Sequence, residues 1–337
     1  MATGIPDMQR GDLRSRVGSL QQFAGVRRLV LDDGPERGVA VLELSTGGGL
    51  DFWVMADRGL DIGMLRWRGV PVAWQSPQGF MHPALGHVEG DGGRGFARML
   101  SGFLCTCGLD GVRQPVDGRP LHGRLAMVPA RVSTAAAMWD LPVPVLRVEG
   151  ECVQYRQGGE NLRLHRVIEA VIGGSEIRLT DTVTNDGDQP QPHDLLYHFN
   201  LGYPSIGPGT TVEQAGAIWV GPIDLPDPAP PPPILCMPAG TQRAPIVLRT
   251  PLADGSLFCL SMTIQTETLP WVQLWRDLRP GCGLLAIEPC SSQWLPGGLS
   301  APVPALAPGE SRRYGLHLVF HRETVAGKAD HGCRMPG

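Results

Sequence analysis

At 337 residues, 42% hydrophobic and only 18% charged, the chain has apolar content for a large core, and its net charge of −4 mixes both signs along its length. No basic run or stripe offers a footprint for nucleic acid, and nothing in the charge favours a negatively charged partner. No apolar run reaches the roughly 20 residues that a membrane-spanning helix needs, so no membrane partner is expected.

In chain order, strand-like runs recur and helix-period segments of ten or more residues are hard to find. The first runs are Gly38 to Leu44, Asp51 to Met55 and Val70 to Trp74, with a glycine triplet at Gly47–Gly49 that reads as a turn. Val145 to Val148, Leu162 to Val171 and Glu176 to Val183 follow. The last alternates polar and apolar residues from Ser175 to Thr184, as a half-buried antiparallel strand does, and Asn185-Asp186-Gly187-Asp188 then supplies a turn. Next come Leu195 to Phe199 and Ala217 to Val220, then a stiff polyproline-type loop from Pro226 to Pro233. Pro245 to Leu248, Leu257 to Ile264, Trp271 to Trp275, Gly283 to Ile287 and Arg312 to His321 complete the series.

More than a dozen strands with almost no helix leave a large sandwich, a propeller or a barrel. No repeat of propeller length appears, so large twisted sheets facing each other are expected. The 45 glycines and 32 prolines are scattered, as suits many tight turns. No break in composition divides the chain, so one domain is expected over residues 1–337, with its core at about 19–321. The eight cysteines form no CxxC pair; Cys105 and Cys107 share one side of a strand. With no zinc spacing, and no apolar signal core in the first twenty residues, a reducing, cytoplasmic setting is expected.

Two buried-looking strands carry the residues of greatest interest. His198 sits in Leu195-Leu196-Tyr197-His198-Phe199-Asn200, and Glu288 ends the apolar run Gly283–Ile287. Imidazoles and carboxylates in such settings are satisfied core groups, strand-end groups or working acids and bases. His193, five residues before His198, points to the opposite face of a regular strand. His122 lies in Leu121-His122-Gly123-Arg124, where Gly123 would let a ligand approach the backbone and Arg124 adds a donor, or where the segment is a plain surface turn. In Ala56–Ile62, Asp57 and Arg58 read either as an ion pair or with Arg58 reaching a substrate. No nucleophile elbow, P-loop or dinucleotide fingerprint is present, and a His-x-His metal pair is missing. Neither a metal nor another cofactor is expected, although His122, His198 and Glu288 leave a metal site open as an alternative.

Taken in order, Leu121-His122-Gly123, Val183-Thr184-Asn185, Tyr197-His198-Phe199-Asn200-Leu201-Gly202 and Glu288-Pro289 resemble the galactose mutarotase (aldose 1-epimerase) superfamily. Ser19–Val26, Asp57–Ile62 and Thr106–Leu109 resemble more narrowly its DUF4432 branch, over roughly Ser19 to Phe320. The resemblance implies an all-β supersandwich with little helix that holds a monosaccharide or sugar derivative. It also implies His198 as general acid, Glu288 as general base and His122 as a helper at the ring oxygen. The family's upstream Asn-Arg pair has no clear counterpart, Arg98 being only a positional candidate, and Asp277 lies in the stretch of its sugar-gripping Asp. Arg58, Arg124, Asn200, Gln273 and Asp277 are therefore expected to bind substrate, with Trp275, and also Trp271 or Trp294, packing on the sugar.

The expected function is anomer interconversion by Glu288 and His198. The alternatives are a carbohydrate-binding or sensing protein without turnover and a metal-dependent sugar isomerase. The sequence leaves the sugar and the oligomeric state open.

Overall fold

The computed structural model describes residues 13–241 and 244–324, so both ends of the expected 1–337 unit lie outside the described residues. The described chain is nearly all antiparallel sheet, and its assigned helical segments from Leu20 onward run three or four residues each. None of the described helices is long and apolar enough to cross a membrane.

Three sheets make up most of the molecule. Residues 25–71 form a five-stranded meander. A nine-stranded sheet has Asn161–Val171, Glu176–Asn185, Ser311–Thr324 and Ser256–Ile264 near its middle. The third sheet runs Leu235–Pro238, Trp271–Asp277, Leu284–Cys290, Leu196–Gly202 and Leu104–Cys107.

The two central strands of this third sheet, Leu196–Gly202 and Leu284–Cys290, are buried at every residue, which is why they read as continuous apolar runs rather than alternating ones. Tyr197, Phe199, Leu201, Leu285, Ile287, Val272 and Leu274 all join the main core. The period of two turns His198, Asn200, Glu288 and Gln273 to the other face. That face is covered by residues 90–127, where Phe96, Val112 and Ala126 pack with Cys105, Cys107, Leu196 and Cys290.

Behind the sheet lies a buried polar network. The Arg166 guanidinium pairs with Asp181 at 2.7 Å and Asp61 at 2.9 Å, and donates to Thr106 at 2.8 Å. Asp61 in turn accepts from the Thr106 backbone N–H at 2.9 Å, and the Tyr197 hydroxyl donates to Asp181 at 2.7 Å. Every charge there has a partner, as an interior requires. The network ties the first and second sheets to the back of the strands that carry His198 and Thr106.

The sequence reading missed several strands. Gly25–Val30, Asp61–Trp67 and Arg131–Met138 lack a clear apolar alternation, and the last holds only intermediate or exposed residues. The run Val70 to Trp74 shortens to Val70–Pro71. Asp57 makes no ion pair with Arg58: its carboxylate accepts from the Ala40 N–H at 2.7 Å, closing the turn after Leu50–Met55.

Candidate active site

Strand register places the candidate groups in one row. Leu196 pairs with Cys290 and Asn200 with Ala286, which sets His198 across from Glu288. On one side His198 pairs with Cys105; on the other Glu288 pairs with Gln273, and Gln273 with Cys236. The row Cys105, His198, Glu288, Gln273, Cys236 therefore crosses all five strands on a single face.

His198 Nε2 and Glu288 Oε1 face each other at 3.4 Å, and both side chains are almost fully buried. Asn200 fixes the imidazole. Its Nδ2 donates to the Gly102 carbonyl at 3.0 Å, so its Oδ1 is left to accept from Nδ1–H of His198 at 2.5 Å. The proton on Nδ1 leaves Nε2 as the nitrogen that gains or loses a proton. Gln273 does the same for the carboxyl, donating to Glu288 Oε2 at 2.6 Å while its own oxygen accepts from Arg113 Nε at 3.0 Å. Arg113, 1% exposed, is anchored by Ser300 Oγ at 2.7 Å and the Ser292 carbonyl at 2.6 Å, with Asp194 at 4.0 Å.

His122 and Arg113 arrive on the loop that covers this face, not on the sheet. Both take left-handed backbone, at φ +61° and +68°, and the His122 N–H donates to the Arg113 carbonyl at 2.9 Å. Strained backbone of this kind persists where the surroundings impose it, often at functional sites. The His122 ring meets that of His198 edge-on, with centroids 5.6 Å apart. Phe96 lies over both, 4.9 Å from His122 and 6.5 Å from His198, and Trp275 stands edge-on to His198 at 6.0 Å. Gly95 lets the Phe96 segment pass so close to its neighbour that a Cβ there would lie 1.7 Å from the His87 carbonyl oxygen.

Burial decides the charge state. Desolvation pushes the Glu288 carboxyl up to about 8, against the opposing pull of Arg113 and the Gln273 hydrogen bond. Desolvation pushes His198 down to about 4, against the Asn200 bond, and holds His122 well below the ordinary imidazole range. Burial thus opposes an ionised Glu288 facing a protonated His198. Both shifts favour the neutral forms, a proton on the carboxyl and none on Nε2 of the imidazole. Glu288 Oε1 and His122 Nδ1 are buried and have no hydrogen-bond partner among the described residues. A buried polar atom without a partner is costly.

Other expected ligands lie elsewhere or do other work. Asn200 and Gln273 spend their amides on His198 and Glu288, so they position these groups and are not free to grip a substrate. Arg124 turns to Glu89 at 2.7 Å and Asp110 at 3.4 Å. Arg98 is exposed on an ion pair with Asp91. Asp277 shares the face of Gln273 and Trp275 but is taken by Arg279, at 2.6 Å. Trp271 packs at the edge of the Cys290 cluster, and Trp294 lies under the Arg113 guanidinium. The freedom of Gly123 serves the backbone itself, since a Cβ there would lie 2.3 Å from the Gly108 oxygen. His193 is apart from the cluster and buried, bonded at 2.7 Å to both the Leu109 carbonyl and the Tyr314 hydroxyl. Arg58 is buried, and its side chain donates to the Met99 carbonyl at 2.6 Å.

His122, His198 and Glu288 do not bring three ligand atoms within 4.8 Å of one another. The group among the described residues that does is Cys259, His321 and Glu323, where Glu323 already pairs with Arg249 at 3.0 Å. Arg113 was missed by the sequence reading. An arginine in a glycine- and proline-rich loop carries no pattern that would reveal it as fully buried.

Residues 36–221 match the family described as "Domain of unknown function (DUF4432)". No curated protein sequence matches the chain. Among solved structures, a Klebsiella pneumoniae protein named "putative aldose 1-epimerase" aligns with a TM-score of 0.67 at 19% identity, over 88% of this chain and 83% of that one. A galactose mutarotase-like protein from Clostridium acetobutylicum aligns at 0.56 and 12% identity, over 89% and 98%. A galactose mutarotase related enzyme from Lactobacillus acidophilus aligns at 0.57 and 12%, over 82% and 96%.

Proposed function

The chain belongs to the DUF4432 family and has a galactose mutarotase-like fold, and from that premise we propose that it interconverts the anomers of an aldose or aldose derivative, with Glu288 and His198 as the acid–base pair. The observation that carries the reading is the face-to-face placement of Glu288 Oε1 and His198 Nε2 on adjacent buried strands, each held from behind by an amide side chain.

In a hemiacetal the anomeric O1 and the ring O5 share one carbon, so two groups on strands about 4.8 Å apart can serve both oxygens. An anomeric hydroxyl donating to the unpartnered Oε1 supplies the stabilisation that burial denies the carboxylate, and the carboxyl proton passes to His198. Glu288 then takes the O1 proton while the C1–O5 bond breaks. The O5 electron pair takes the proton from His198, leaving an open-chain aldehyde. Rotation about C1–C2 and the reverse proton transfers close the ring on the other face of C1, and the pair ends with the one proton it began with. His122, held neutral, offers a ring nitrogen to the hydroxyls beside this centre, and Trp275 offers a face to the C–H surface of the sugar. The site excludes water as it stands, with Phe96 over both imidazoles, so a sugar enters by displacing that ring.

Glu288→Gln keeps the shape and the bond to Gln273 but removes the base. Saturation-transfer NMR on an aldose selected by a binding screen reads the anomer exchange directly. The reading expects exchange lost in Glu288→Gln while the sugar is still bound. Exchange at the wild-type rate overturns it, and binding without exchange in the wild type would instead make the protein a sugar-binding module.

A further inference from the structure

We propose that the sugar taken by this site carries a carboxylate, and that Arg58 binds it; the inference deepens the functional reading above and rests on the same site. Three arginines are buried in the described protein, at 0–3% exposure. Arg166 has two carboxylates, and Arg113 has Asp194 and a set of serine and glutamine oxygens. Arg58 has no carboxylate within 4.0 Å among the described residues: Nη2 donates to the Met99 carbonyl, and Nη1 is buried with no partner at all. A buried guanidinium left this way is costly unless something else neutralises it.

Its position says what that would be. The turn that carries Arg58 is pinned by the Gly59 N–H on the Val128 carbonyl and the Asp61 N–H on the Arg58 carbonyl. The guanidinium holds the Met99 carbonyl, two residues before Ser101, whose carbonyl accepts from the Cys105 thiol at 3.4 Å; Cys105 pairs with His198 in the row and lies 3.9 Å from Asn200 Nδ2. Arg58 thus lies toward the Cys105 end of the row, Cys105 being one strand beyond His198 and two beyond Glu288. The same segment covers both places, since the Met99 N–H donates to the Phe96 carbonyl. Displacing Phe96 to reach the acid–base pair would move the segment whose Met99 carbonyl Arg58 holds, and would open the guanidinium to the same sugar.

A uronic acid has C1 at one end of its carbon chain and a carboxylate at the other. One guanidinium with one free amino group matches a single negative charge. A phosphate dianion would leave a surplus charge buried, because Arg113 and Arg166 are already engaged. The modest overall charge of the chain does not bear on this, for the recognition is by a single buried group.

Isothermal titration of the full chain with galacturonate and glucuronate, against galactose, glucose and their 6-phosphates, tests the inference. A charge-assisted bond at a buried site should make one uronate bind on the order of tenfold or more tighter than its matched hexose. Arg58→Gln should reduce that advantage to within about twofold. Equal binding of uronate and hexose, tightest binding of a phosphate, binding of none of them, or an advantage that survives Arg58→Gln overturns the proposal. The wild-type comparison stands even if the variant does not fold. Anomer exchange of the bound uronate is read separately, and its absence would count against the acid–base reading while leaving the carboxylate assignment in place.

Discussion

The buried Glu288 carboxyl makes the stability of the fold depend on pH in a direction that can be worked out. Its proton is held up to about 8 in the folded protein, from an ordinary value of 4.5. A raised folded-state value gives stability that is complete below 4.5 and is lost as the pH rises toward 8, because the unfolded chain releases the proton more easily. The loss runs at about 1.4 kcal/mol per pH unit over that interval. His198, pushed down to about 4 from 6.5, acts in the opposite sense, and its contribution is complete once the pH exceeds 6.5. Between pH 6.5 and 8 the Glu288 effect therefore stands clear of that of His198, and integrates to about 2 kcal/mol. Glu288→Gln removes the titration and keeps the Gln273 contact. Urea unfolding at pH 6.5, 7.2 and 8, followed by tryptophan fluorescence, should show the wild type losing about 2 kcal/mol relative to the variant across the interval. Comparing the two proteins cancels every other titrating group. Parallel losses would refute a Glu288 that is protonated and buried at neutral pH.

Asn200→Asp places a carboxylate against Nδ1 of His198 and should raise the imidazole's proton affinity, moving the acid limb of the activity profile to higher pH; an unmoved limb would mean that Asn200 does not hold that nitrogen. Phe96→Ala should cost about 3–5 kcal/mol of stability and, by wetting the pair, move the alkaline limb to lower pH; an unchanged profile would mean that Phe96 does not keep water from Glu288.

Much of the fold was legible in the sequence because its strands advertise their burial. The alternation from Ser175 to Thr184 became Glu176–Asn185, and the two unbroken apolar runs became the central strands that carry His198 and Glu288. The meeting of His198 and Glu288 was open to inference from ordered motifs, but the partners of each depend on register between strands distant in sequence. Gln273 illustrates this, whereas the Asn200 contact follows from spacing along one strand. Both were singled out, yet Gln273 turns to Glu288 across the strand pair and Asn200 to His198 two residues along its own strand. Arg124 shows a different limit: its long side chain had a choice of partners, and Glu89, thirty-five residues away, decided it. The charge state of the pair was beyond the sequence, since desolvation and the neighbouring cation oppose each other and only the packing of Phe96 and its segment settles which is larger.

The central claim is that Glu288 and His198 work as a pair holding one proton. The dependence of kcat/KM for anomer interconversion on pH measures it most directly, because it reports the free protein's essential acid and base. A bell is expected, with activity falling below about 4 as the pair takes up a second proton and above about 8 as it loses its only one. A profile that is flat through pH 8, or that keeps rising above it, would contradict the claim.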